Sequence, residues 1–92
     1  MTTAVTRNRL VRDVCERAGW TPWQTFSDKR KNDRRVSFMM NGWPVPASMK
    51  AKILKGVRRQ LKANNIPHNS VYWYLADSYR GNYDKLVIEV PL

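Results

Sequence analysis

Apolar positions along the chain repeat with a helical period, then a strand period, then each once more. In residues 6–18, Leu10, Val11, Val14, Cys15 and Ala18 fall on one helical stripe, and Gly19 is the expected stop. The opposite face carries Arg9, Arg12, Asp13, Glu16 and Arg17, a mixed-sign solvated surface. Residues 23–27 and 36–40 read as two antiparallel strands, and Asn41-Gly42 is a turn signal. Pro44 and Pro46 keep the next stretch extended. Residues 48–64 predict the clearest helix, with Ser48 as its N-cap and Asn65 as a left-handed stop. At 100° per residue, Met49, Ile53, Leu54, Val57 and Leu61 gather on one side. Lys52, Lys55, Arg58, Arg59 and Lys62 gather on the other, with no acid between them. Lys50 alone is basic on the apolar side, in the first turn, where it can reach out to solvent. Residues 71–76 and 86–90 alternate as a hairpin, with Arg80-Gly81-Asn82 in the connection.

Helix, two strands, helix, two strands predicts an α+β fold, a small antiparallel sheet carrying two helices. Ninety-two residues make one domain, 1–92, and too little chain for two. Hydrophobic residues at 42% fit a folded chain. The core is thin, so Trp20, Trp23, Trp43 and Trp73 are expected in it or at its edge. Tyr72 and Tyr74 share one strand face. They are read as covering one of the helices; the alternative is a base-stacking surface of the kind seen in sheet-based RNA binders.

Charge changes the picture more than composition does. Seventeen Lys+Arg stand against seven Asp+Glu, a net +10. Residues 29–62 hold eleven of those bases and one acid, Asp33, so the entire excess lies there and the rest of the chain is neutral. Charge spread for solubility would not concentrate in this way. Lys29, Arg30, Lys31, Arg34 and Arg35 are expected in a loop joining the first two strands, adjacent to the basic helix face. Together these two elements read as a surface for phosphates or another polyanion. A membrane surface is a poorer partner, because the apolar side of the helix is needed for the core. No apolar run approaches the ~20 residues that span a bilayer, and the first residues lack the apolar centre of a signal peptide. With a single cysteine, Cys15, no internal disulfide can form. The expected location is therefore the cytoplasm, or the inside of a cell infected by the protein's source.

Little in the chain points to catalysis. Cys15 lies on the apolar stripe and reads as core; His68 is alone in a loop and reads as a surface residue. No Cys/His spacing suits a metal and no glycine-rich phosphate loop is present, so no metal, no cofactor and no small-molecule substrate is expected. One enzymatic alternative is a small basic toxin-type ribonuclease, with His68, Tyr72 or Tyr74, and Arg58 as the acid/base and phosphorane-stabilising groups. Another alternative is a general nucleic-acid-binding protein. A helix-turn-helix regulator does not fit, because two strands separate the helices.

With the basic residues of 29–35 and the helix of 48–64 in view, the chain resembles small phage-encoded inhibitors of bacterial immunity, the eighth family of type I-F anti-CRISPR proteins. The resemblance spans the whole chain in size, charge and general run of sequence, and includes Met1-Thr2-Thr3-Ala4-Val5. It implies a non-enzymatic protein in the cytoplasm of an infected bacterium. Such a protein docks on the CRISPR surveillance ribonucleoprotein, along its repeated backbone subunits and near the guide RNA, and stops target DNA from hybridising. No compact motif carries binding residues across. The expected site is therefore the charge map itself: Lys29, Arg30, Lys31, Arg34, Arg35, Lys52, Lys55, Arg58, Arg59 and Lys62.

Overall fold

A computed structural model describes residues 3–29, 31, 33–78 and 81–91. The elements are α1 (Thr3–Arg17), β1 (Pro22–Lys29), β2 (Asp33–Met40), α2 (Ala47–Ala63), β3 (Ser70–Ser78) and β4 (Gly81–Pro91). They form the expected α+β arrangement, one four-stranded sheet in the order β1-β2-β4-β3. Every neighbouring pair is antiparallel. The two hairpins thus lie side by side, with β2 and β4 central and β1 and β3 at the edges.

Both helices end as the left-handed signals predict. Gly19 has φ +89° and Asn65 φ +54°. The Trp20 amide donates to the Cys15 carbonyl at 3.0 Å and the Ile66 amide to Leu61 at 2.9 Å. These are the six-to-one bonds of Schellman stops, and buried Ile66 over Leu61 supplies the apolar contact that accompanies them. The start of α2 differs from expectation. Pro46 occupies the N-cap, no side chain caps it, and Ser48 lies inside the first turn. Pro46 is already extended at ψ 143° and its carbonyl accepts the first helical bond from Lys50 at 2.9 Å, so the cap falls two residues earlier.

The strands run further than the apolar pattern indicates. Lys29 closes β1, and Arg34 and Arg35 belong to β2, with Lys29 opposite Arg34 and Asp28 opposite Arg35. The expected basic loop of 29–35 is thus largely a paired hairpin end. Arg35 also sits opposite Glu89 of β4 and pairs with it at 3.1 Å, so charge pairing carries the ladder past the last apolar residue. Gly81 and Asn82 likewise lie in β4, with Ser78 opposite Gly81; Arg80 is outside the described residues.

One face of the sheet holds the core. Val36, Phe38, Leu86, Ile88 and Val71 meet Val11 and Cys15 of α1 and Ile53, Val57 and Leu61 of α2, all at most 2% exposed. Each fully buried side chain of this size contributes about 1.5–3 kcal/mol. A polar lock closes the edge of this layer. Asp84, 1% exposed, receives the Val45 amide at 2.9 Å and faces the Lys50 ammonium at 2.8 Å. The Trp73 indole donates to the Lys50 carbonyl at 2.9 Å. Lys50 therefore turns inward to a buried acid instead of escaping to solvent.

The alternate residues face away from both helices, among them Phe26, Arg35, Ser37, Tyr72, Tyr74, Lys85, Val87 and Glu89. Tyr72 and Tyr74 do not cover a helix, contrary to expectation, because Val71 and Trp73 take that side of β3. Trp20 and Trp73 pack against the core as expected, whereas Trp23 and Trp43 are 65% and 49% exposed.

Candidate polyanion-binding surfaces

α2 buries Ile53, Val57 and Leu61, and this fixes which side faces outward. Lys52, Lys55, Arg59 and Lys62 project there, all exposed. They form a stripe about 15 Å long at the helical rise. Among the described residues none of the four has a carboxylate partner. Like charges three and four positions apart repel by about 0.2–0.5 kcal/mol per pair, a cost that a bound polyanion would remove.

α1 adds a cation from its mixed-sign face. Arg17 lines a cleft of about 330 Å³ between the helices, together with Lys52, Lys55 and Arg59. The helices come close because Gly56 meets Val14. A Cβ at Gly56 would lie 2.8 Å from the Val14 Cγ1. The sequence alone carries no sign of this approach, since neither residue is unusual in its own helix.

Arg58 takes a different role from its neighbours. Its guanidinium donates to the Val71 carbonyl at 2.8 Å, tying α2 to edge strand β3. It anchors the helix under the stripe and is not one of its free charges.

The hairpin cations do not adjoin α2 as expected. α1 lies over the β1–β2 side, with Val5, Asn8, Arg9 and Arg12 around Thr25 and Phe38, while α2 lies toward β3 at the opposite edge. Strand alternation then divides the hairpin charges between faces. Lys29 and Arg34 meet Arg7 of α1 at a cleft of about 390 Å³ near the start of that helix. Arg35 points to the open face, where Glu89 engages it. Lys31 is exposed at the hairpin tip, and Arg30 lies outside the described residues. The single predicted surface is thus a helix stripe, a separate cleft and a paired arginine.

The open face forms a shallow trough of about 300 Å³. Ser37 and Val87 on the central strands floor it, and Phe26, Tyr72 and Tyr74 on the edge strands wall it. Glu89 accepts from the Tyr72 hydroxyl at 2.9 Å, the Ser70 hydroxyl at 3.0 Å and the Arg35 Nε at 3.1 Å. The Tyr72 bond, then those of Ser70 and Arg35, hold its carboxyl below the usual range. Lys85 lies 5.1 Å from the Tyr74 ring centroid.

The groups considered for catalysis are dispersed. Arg58 is on the helix side of the sheet, and Tyr72 and Tyr74 are on the other. The His68 Nδ1 lies 2.8 Å from the Ile66 carbonyl in its own turn. Cys15 is fully buried, and desolvation pushes its thiol up to about 12. Among the described residues no group of three or more His, Cys, Asp or Glu could hold a metal, and no helix is long and apolar enough to cross a membrane. No family model, curated protein or solved structure matches the chain.

Proposed function

We propose that the protein is a non-enzymatic inhibitor that occupies a nucleic-acid path on a ribonucleoprotein. The observation that carries this reading is the row of cations Lys52, Lys55, Arg59 and Lys62, unneutralised among the described residues, on a helix whose other side is committed to the core. A row of this kind tracks a phosphate backbone, and Arg59 can pair bidentately with a phosphate. The resemblance to type I-F anti-CRISPR proteins supplies the particular target. That target is the guide-RNA-loaded surveillance complex in the cytoplasm of an infected bacterium, approached along its backbone subunits with nucleic acid in contact. The inhibitor would keep target DNA from hybridising to the guide.

Purified type I-F surveillance complex, mixed with this protein before labelled target DNA is added, tests the reading. The expected result is stable co-elution of protein and complex, with hybridisation blocked in proportion to occupancy. Co-elution that survives nuclease treatment would assign part of the contact to protein subunits. Unhindered hybridisation at saturating protein, or recovery only with bulk RNA or ribosomes, would contradict it.

A further inference from the structure

Arg7 is a buried basic side chain. It is only 9% exposed, and among the described residues its side chain makes one hydrogen bond, from Nε to the neighbouring Asn8 Oδ1, at 3.2 Å. Among the described residues no carboxylate faces it, while Arg34 and Lys29 share its cleft. An unpaired buried cation is costly, and a second guanidinium nearby makes it more so. Burial first, then the Arg34 charge, lowers the pKa of Arg7, the sign expected of a guanidinium short of an anion.

The first turn of α1 adds to this. Thr3 and Ala4 line the same cleft, and that turn contains no acidic residue. The positive end of the helix dipole therefore points where the cations converge. Ile66, Pro67 and Val90 supply apolar walls that strengthen electrostatic attraction inside.

We infer that this cleft is a phosphate-binding site, distinct from the α2 stripe and not resting on the function proposed for it. Three cations suit a dianion better than a monovalent carboxylate, and two guanidiniums offer the forked donors that tetrahedral phosphate oxygens accept. The phosphate can be free, terminal on a nucleic acid, or part of its backbone.

The test is a titration of the ¹⁵N-labelled protein with inorganic phosphate at constant ionic strength. The Ala4 amide and the Arg7 Nε–H should shift and saturate. Arg34→Gln, an exposed substitution, should weaken the effect about tenfold or more, the loss expected for a hydrogen bond to a charged group. Arg7→Gln should abolish it. Lys55→Glu/Arg59→Glu, which alters only the stripe, should leave it unchanged. Competition with oligonucleotides then identifies the source. A 5′-phosphorylated strand competing better than its unphosphorylated twin assigns a terminal phosphate, equal competition a backbone phosphate, and no competition a free one. Shifts that never saturate, or that Arg34→Gln leaves as they were, would overturn the assignment.

Discussion

At the scale of single residues, burial and pairing sort cations that the sequence presents as equivalent. Arg58 and Arg59 are neighbours, but Arg58 is spent on the Val71 carbonyl while Arg59 is exposed with no carboxylate partner among the described residues. Lys50 illustrates the same sorting more strongly. Removing Asp84 would strand the Lys50 ammonium and the Val45 amide together. Asp84→Ala should therefore cost about 2–3 kcal/mol in urea unfolding, below the usual figure for a fully buried pair because Lys50 keeps some solvent contact. A loss under about 0.5 kcal/mol would place the pair among ordinary surface bridges. Glu89 gives a pH signature. Its carboxyl is held below the usual range by Tyr72, Ser70 and Arg35, so its contribution is complete at neutral pH and is lost as pH falls through the lowered value. The stability gap between wild type and Glu89→Gln should be constant near pH 7 and shrink below roughly pH 4. A gap that stays constant down to pH 3 would refute the network.

At the scale of elements, much was legible in the sequence, for definite reasons. Gly19 and Asn65 announce the two helix stops because few other residues tolerate positive φ. The division of α2 into apolar and basic sides follows from its period alone. Strand ends were hidden because they rest on pairs such as Arg35 with Glu89, 54 positions apart, which no local pattern reveals. The side taken by Tyr72 and Tyr74 is not legible because β3 carries large side chains on both faces, so alternation identifies two sets without saying which is inward. Helix packing is equally invisible locally. Gly56→Ala should gain about 1 kcal/mol in helix propensity but push its Cβ into stiff Val14, at a cost of about 1–3 kcal/mol. We expect a net loss near 1 kcal/mol. A variant as stable as wild type in denaturant would mean that the two helices part without strain.

At the scale of the whole molecule, charge is segregated by layer. The helical layer exposes Lys52, Lys55, Arg59 and Lys62, while on the open sheet face Asp28 and Glu89 balance Arg35 and Lys85. The +10 excess was readable from sequence, but its distribution was not, because β1 and the strand beneath α2 fall at opposite edges of the sheet. Arg7 and Arg17 entered the candidate surfaces only through tertiary proximity, one beside Arg34 and the other beside Arg59. The salt dependence of the proposed binding to the guide-loaded surveillance complex, measured for wild type and for Lys55→Glu/Arg59→Glu, addresses the stripe most directly. Wild-type log affinity should fall steeply with log salt, and the variant should bind weakly with a slope shallower by about 1.5, the share of two lost phosphate contacts. Equal affinities and equal slopes would contradict it and remove α2 from the interface.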